Sequence, residues 1–181
     1  MNRRKAVTFF TISLIVLTGC KSQSTAVSEL GTVVGCQSIP LSSSNEGVEI
    51  PCLDGKSTIH LKQLQGPLIL NVWGSWCAPC KEEMPIFRSF YSKAKTQIQL
   101  LGVNVEEAKR ADAINFVIEN GMTWPNLIDP DGRTRGLLGM GVPVTWFIDP
   151  SGKVVYKKIG VLRSEAELRT LTRKYLNITV G

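Results

Sequence analysis

The pair Cys77 and Cys80 constrains the fold of this chain more than any other feature, because of what precedes and follows it. Residues 67–73 form a continuous apolar run with the length and character of a central strand buried on both faces. An apolar stripe at helical spacing then predicts a helix over residues 79–95. The two cysteines are therefore expected where a buried strand gives way to a helix N-terminus.

A cysteine at a helix N-terminus has a distinct chemistry. The unpaired backbone N–H groups and the helix dipole at that end stabilise a thiolate. Cys77 is therefore predicted to be the exposed nucleophile, and Cys80, one turn further along, the buried resolving thiol. Such a pair cycles between a dithiol and a disulfide through a mixed disulfide with a substrate.

Three other interpretations of the pair are open. A zinc site needs a second pair of ligands, but Cys36 and Cys52 lack zinc-knuckle spacing and His60 is the one histidine. A c-type haem site needs a histidine where Lys81 stands. A purely structural disulfide rarely needs a preceding strand and a helix start. The sequence favours redox chemistry, with no metal and no cofactor.

The first 19 residues have the features of an export signal. Arg3, Arg4 and Lys5 precede an apolar stretch of 12 residues, which is shorter than the ~20 that span a bilayer. The stretch ends at residues 17–20, Leu-Thr-Gly-Cys, which resemble the bacterial lipobox. Cys20 is the predicted lipidation site, and the lipid would hold the protein at the extracytoplasmic face of a bacterial membrane. An ordinary signal peptide and a buried N-terminal helix are the alternatives.

The rest of the chain divides into a tether and one domain. Residues 20–32 are expected to be the lipidated cysteine and a flexible polar tether, and residues 33–181 a single domain. An apolar content of 43% is enough for a core and excludes wholesale disorder. Half of the net charge of +6 lies in residues 1–5, so no nucleic-acid partner is expected.

Strand and helix signals alternate along the domain, which predicts a mixed α/β fold. Strands are expected at residues 48–50, 57–60, 67–73, 98–105, 144–148 and 154–159. Helices are expected at residues 79–95 and 111–120, in a short segment at 133–138, and after a capping box that Ser164 opens.

Several motifs, in the right order, resemble the thioredoxin-like proteins of the bacterial cell envelope known as the TlpA and ResA group. The motifs are residues 72–85, 102–105, 120–125, 129–132 and 141–149. The resemblance implies a thioredoxin-like fold, a mixed central sheet flanked by helices, with an extra helix and strand within residues 105–140. It also implies membrane-anchored disulfide exchange with protein substrates, apocytochrome c among them, and a membrane redox partner that recycles the pair.

The resemblance also assigns roles to single residues. Cys77 and Cys80 match the redox pair, and Pro143 matches a cis-proline that faces it. Val142 would offer its backbone to an extended substrate segment, and Trp76 matches the aromatic residue beside the nucleophile. Without the family, an ordinary trans proline at Pro143 and plain packing at Trp76 are the alternatives.

Glu83 is the acid to which the resemblance gives a function. It lies three residues after Cys80, on the same helix face, and the family places a functional glutamate there. Plain thioredoxins carry a buried aspartate at the position of Asn71, which cannot titrate. A partly buried acid near thiols has a raised pKa, which suits proton transfer near neutral pH. The alternative is a solvated acid on the helix surface.

Three functions are therefore in competition. The leading one is a reductase of protein disulfides, and an oxidase or isomerase for secreted proteins is its closest alternative, because small changes in potential decide the direction. A redox-inactive lipoprotein binding module is the third, but Cys77, Cys80 and Pro143 together argue against it.

Cys36 and Cys52 remain once the other three cysteines have been assigned. In an exported chain an even number of remaining cysteines predicts a structural disulfide. The segment between them is rich in Ser and Gly and has little apolar surface with which to hold itself in place. Two free buried thiols, or a relay of electrons to the redox pair, are the alternatives.

Overall fold

A computed structural model describes residues 30–181 of the chain. The predicted export signal at 1–19, the lipidation site Cys20 and most of the tether at 20–32 lie outside the described residues. Within residues 30–181, no helix is both long enough and apolar enough to cross a membrane.

A mixed sheet forms the centre of the fold and is flanked by helices. The strands are β1 (Glu49–Pro51), β2 (Thr58–His60), β3 (Leu68–Trp73), β4 (Gln99–Val105), β5 (Asn126–Asp129), β6 (Val144–Ile148) and β7 (Val154–Ile159). The α-helices are α1 (Ala78–Ala94), α2 (Arg110–Glu119) and α3 (Glu165–Leu176), and short 3-10 helices lie at Cys36–Ser38 and Leu61–Gln63. Among the described residues, the central sheet has the order β5-β4-β3-β6-β7, and β1 pairs with β2 in a separate ribbon.

The central strand β3 is buried along its whole length, as its apolar run predicts. It pairs in parallel with β4 and antiparallel with β6, and the hairpin of β6 and β7 completes that side. One face of the sheet packs on the helices, where Trp73 stacks on Phe116 of α2 with ring centroids 4.7 Å apart. The opposite face, which includes Leu70 and Trp146, packs on the β1–β2 ribbon. The predicted α/β fold is confirmed.

Residues 133–138 are not the short helix that the sequence predicts; they form a series of turns. The cause is the backbone of Gly136, which adopts a positive φ of 80° that a helix does not use. The buried carboxylate of Asp129 fixes the start of the segment, since it accepts hydrogen bonds from the backbone N–H groups of Arg133 and Thr134, at 3.1 and 2.8 Å. The Thr134 hydroxyl donates a third bond to the same carboxylate at 2.7 Å.

The segment before β1 is attached to the outer edge of the sheet. A disulfide bond joins Cys36 to Cys52, and both residues are buried. Cys52 forms a bridge with Leu127 of the edge strand β5, and the backbone N–H of Leu53 donates to the carbonyl of Asn126 at 2.7 Å. The N-terminal segment therefore covers an edge that would otherwise expose unpaired backbone groups.

We expect the double variant Cys36→Ala, Cys52→Ala to keep its fold and to lose stability. The disulfide closes a loop across 16 positions of sequence, and removing it restores denatured-state entropy worth about 3 kcal/mol in the chain-entropy model. Urea unfolding of the variant and the oxidised wild type measures the difference. The matched control compares the two proteins after full reduction, when neither has a disulfide, and they should then unfold at similar urea concentrations. An unchanged midpoint would mean that this disulfide does not stabilise the domain.

Candidate active site

The redox pair lies at the junction of β3 and α1, where the sequence places it. Cys77 is the N-cap of α1, and its sulfur accepts a hydrogen bond from the backbone N–H of Cys80 at 3.1 Å. The two sulfurs are joined in a disulfide bond. Pro79 occupies the first turn of the helix, where a missing N–H costs nothing. A free N–H of the first helical turn, that of Cys80, therefore points at the sulfur of Cys77.

The oxidised pair is more enclosed than the sequence predicts. Cys77 is 4% exposed and Cys80 is fully buried, so the prediction of an exposed nucleophile is wrong for this state. Both sulfurs belong to the apolar cluster on the helix face of the sheet, and Val142 packs against that cluster. Cys77 is still slightly more exposed than Cys80 in the disulfide.

Pro143 precedes β6, next to the strand that leads to the pair. The peptide bond between Val142 and Pro143 is cis, and Val142 is half-buried. The Trp76 side chain is 55% exposed. Val142 and Trp76 line the same cavity of about 200 Å³, together with Val72, Glu106, Arg135 and Met140. Neither cysteine lines the cavity, but Trp76 directly precedes Cys77 in the chain.

Glu83 lies in α1 one helical turn after Cys80, is fully buried, and is held from two sides. One carboxylate oxygen accepts a hydrogen bond from the side-chain N–H of Asn71 at 2.8 Å. The other accepts from the backbone N–H of Leu162, in the turn before α3, at 3.0 Å. Its neighbour Glu82 is exposed on the helix surface. The helix therefore directs one of its two adjacent acids into the core.

Burial raises the pKa of Glu83 to about 7. Loss of water around the carboxylate is the largest influence. The hydrogen bonds from the Leu162 backbone and the Asn71 side chain act in the opposite direction, as does the positive charge of Lys158. The acid is therefore divided between its two protonation states near neutral pH, which is what transfer of a proton to or from a thiol requires.

Glu107 is a site residue that the sequence analysis missed. It is 5% exposed, and its carboxylate accepts hydrogen bonds from the backbone N–H and the hydroxyl of Ser75, at 3.0 and 2.8 Å. Asn104 donates a third bond at 3.0 Å. These bonds hold the loop that precedes Trp76 and Cys77. The sequence does hold one signal for this role, which is an acid soon after β4. Because β3 and β4 are parallel, they end at the same edge of the sheet, and residues that follow them are expected to lie close together.

The neighbouring residue Glu106 fixes the exposed tryptophan. Its carbonyl accepts a hydrogen bond from the indole N–H of Trp76 at 3.1 Å. Its side chain forms an ion pair with Arg135 at 2.8 Å across the cavity mouth. Glu106 has a positive φ of 53°, so the chain turns sharply where β4 ends. The side chains of the adjacent acids Glu106 and Glu107 therefore contact different partners.

Residues 46–157 match the AhpC/TSA family. The chain belongs to this family. It is 32% identical over 147 residues to the thiol-disulfide oxidoreductase ResA of Bacillus subtilis, covering 80% of this chain and 78% of that protein. It is 39% identical over 111 residues to ResA of Bacillus thuringiensis, covering 60% of this chain and 63% of that protein. The predicted resemblance to the ResA group is confirmed.

Two solved structures are similar to this chain in fold. The exposed lipoprotein thioredoxin Etrx1 of Streptococcus pneumoniae is 28% identical, with a TM-score of 0.57 over 71% of this chain and 99% of that one. StoA of Bacillus subtilis is 25% identical, with a TM-score of 0.58 over 72% of this chain and 99% of that one. The predicted thioredoxin-like fold is therefore confirmed.

We expect the oxidised wild type to lose stability as the pH rises toward 7, and we expect Glu83→Gln to abolish this loss. The folded-state pKa of about 7 lies above the ordinary value of 4.5, so the folded state binds the additional proton. Unfolding free energy therefore falls as pH rises from about 4.5 to 7, by up to about 3 kcal/mol. Urea unfolding at several pH values between 5 and 8 measures this loss in the wild type.

Glu82→Gln is the matched control, since it changes an exposed acid on the same helix turn. This control should keep the wild-type slope, whereas Glu83→Gln should flatten it. Asp149 and Glu165 have lowered pKa values, so their stabilisation is lost at more acidic pH and does not produce this slope. Parallel curves for Glu83→Gln and the wild type would show that Glu83 does not titrate in this range.

Proposed function

We propose that the chain is a membrane-anchored extracytoplasmic thiol–disulfide oxidoreductase that reduces disulfide bonds of proteins. One observation carries the proposal: a Cys77–Cys80 disulfide at a helix N-terminus, with the buried acid Glu83 on the same helix. A structural disulfide does not need a buried carboxyl group one helical turn away whose pKa is about 7. The names of the ResA relatives support the same activity.

The reaction starts from the reduced pair. The thiolate of Cys77 attacks a substrate disulfide, forming a mixed disulfide and releasing one substrate thiolate, which takes a proton. The thiol of Cys80 then gives its proton to the carboxylate of Glu83 and attacks the sulfur of Cys77. The second substrate thiolate leaves and is protonated in turn. Two electrons have passed to the substrate, and the Cys77–Cys80 disulfide is the other product.

The surroundings of the pair suit a polypeptide substrate. Trp76, Leu137 and Met140 are 55%, 47% and 84% exposed, and all three lie at the cavities beside Val142. Exposed apolar side chains next to a backbone that can pair with an extended strand are features of peptide recognition. Apocytochrome c is one candidate substrate, on the resemblance to the ResA group, and a membrane redox partner would recycle the oxidised pair.

We expect Cys80→Ser to accumulate mixed disulfides between Cys77 and its substrates. Without the resolving thiol, the covalent intermediate formed at Cys77 persists. Non-reducing electrophoresis of cell-envelope protein should show adducts that disappear on reduction. The double variant Cys77→Ser, Cys80→Ser is the matched control and should show none. Equal adducts in both variants, or no reduction of insulin disulfides by the wild type, would contradict the proposed activity.

The reduction potential of the pair decides the direction of electron flow. A value near that of thioredoxin, about −270 mV, is expected of a reductase. A value near about −120 mV would instead indicate an oxidase for secreted proteins. Equilibration of the purified protein with glutathione or dithiothreitol buffers measures it.

We also propose that residues 1–19 are removed and that Cys20 carries the lipid, with residues 20–32 as a tether to the domain at 33–181. The description of Etrx1 as an exposed lipoprotein supports an anchor of this kind.

Cys20→Ala should release the protein from membranes or leave its precursor uncleaved, because the lipid is attached to that thiol. Membrane fractionation and the mass of the purified protein measure both outcomes. Cys36→Ala, Cys52→Ala changes two other cysteines and should leave membrane retention as in the wild type. Normal processing and retention of Cys20→Ala would overturn the lipid anchor.

A further inference from the structure

Three polar side chains form a row across the sheet beneath α1. Asn71 of β3 pairs in register with Thr145 of β6, and Thr145 pairs with Lys158 of β7. Residues paired across adjacent strands direct their side chains to the same face. The row therefore lies on the helix face, where the remaining positions are mostly large and apolar, such as Phe147.

The inner end of the row contacts Glu83. The amide N–H of Asn71 donates to the Glu83 carboxylate at 2.8 Å and reaches the Thr145 hydroxyl at 3.5 Å. Asn71, Thr145 and Glu83 are all fully buried. Lys158, at the outer end, is 22% exposed at its side chain. The row therefore connects a buried acid to a cation near the surface.

Lys158 also fixes the turn that links β7 to α3, residues 159–162. Its ammonium group donates hydrogen bonds to the carbonyls of Ile159 at 3.1 Å and Val161 at 3.2 Å. The same turn contacts the site twice. The backbone N–H of Leu162 donates to Glu83 at 3.0 Å, and that of Gly160 donates to the carbonyl of Pro143 at 3.0 Å.

We propose that Lys158 is a positioning residue of the redox site, which holds the 159–162 turn against Glu83 and Pro143 and places a positive charge at the outer end of the polar row that Glu83 contacts. The proposal deepens the proposed disulfide exchange and rests on it for its catalytic consequence. The ionisation of Glu83 itself is measurable without any substrate.

The charges around Glu83 act in opposite directions. Within residues 30–181, β3 and β6 supply the neutral groups Asn71 and Thr145, and α1 carries Cys80 one turn before Glu83. β7 supplies the cation Lys158, which lowers the pKa of Glu83, and α3 supplies Glu167, which raises it. The ammonium group lies 4.0 Å from the Glu167 carboxylate, so each charge offsets part of the other's effect.

The test is the ionisation of Glu83 in oxidised, substrate-free protein. Glutamate labelled with carbon-13 at the side-chain carboxyl reports each protonation state by NMR, and Glu83→Gln identifies the signal. In Lys158→Met we expect the midpoint for Glu83 to rise by about one pH unit, since an adjacent opposite charge is lost. The amide signal of Leu162 should also move, because its turn loses two hydrogen bonds. Lys158→Arg, which keeps the charge, should bring both the midpoint for Glu83 and the amide signal of Leu162 most of the way back to their wild-type values.

Lys157→Met is the matched control. Lys157 adjoins Lys158 in β7, but its ammonium group lies over the Trp146 ring, 3.9 Å from the centroid, on the opposite face of the sheet. Its loss should leave the midpoint of Glu83 unchanged. Glu167→Gln provides an independent variant and should lower that midpoint, because a negative charge is removed.

The outcomes separate this inference from the proposed function. An unchanged midpoint in Lys158→Met, or an equal shift in Lys157→Met, would overturn the role of Lys158 even in an active enzyme. If Lys158→Met does not fold, the absence of a fall in Glu167→Gln would overturn the electrostatic account. The converse outcome is that the midpoint of Glu83 shifts as expected in these variants while the wild type reduces no disulfide. That result would support the role of Lys158 and contradict the proposed disulfide reductase activity.

Discussion

The pairing of β3 with both β4 and β6 is the constraint on which the site depends. β3 runs parallel to β4 and antiparallel to β6, so the ends of β3 and β4 meet the start of β6 at one edge. The helix that carries Cys77 begins at this edge, Glu107 follows β4, and Pro143 precedes β6. Because β3 is buried on both faces, a shift in its register would place apolar side chains wrongly on both sides. The sheet therefore sets the distances among these groups.

The interior of the protein adjusts the pKa of Glu83 to a value near neutral pH. Burial alone would hold it protonated, and the hydrogen bonds from Asn71 and Leu162 bring its pKa back to about 7. Asn71 suits both protonation states. Its N–H donates to the carboxylate, while its buried carbonyl oxygen has no partner among residues 30–181 and can accept from a carboxylic acid if the amide turns over. The neutral amide of Asn71 can therefore form a hydrogen bond with Glu83 whether or not Glu83 carries its proton.

Local patterns predicted part of this site, and contacts distant in sequence account for the rest. The spacing of Cys77 and Cys80 after an apolar run was enough to place them at the start of a helix, because both signals lie within 15 residues. The contact of Glu107 with Ser75 spans 32 residues and depends on the pairing of β3 with β4, so no local pattern reports it. The turns at 133–138 replace a predicted helix because Gly136 adopts a positive φ of 80°, which the spacing of apolar residues in the segment does not reveal.

The placement of Lys158 depends on an irregularity that periodicity does not reveal. Val154 pairs with Ile148, but Tyr156 pairs with Phe147, so β7 holds one extra residue at that point. Such a bulge shifts the register of everything beyond it. Without the extra residue, Thr145 would pair with Lys157, and Lys158 would face the other side of the sheet. Two adjacent lysines look equivalent in the sequence, and the bulge determines which one reaches the row beneath Glu83. A one-residue change in the length of the β6–β7 hairpin would therefore put Lys157 in place of Lys158 at the outer end of the row, without touching any residue of the redox pair.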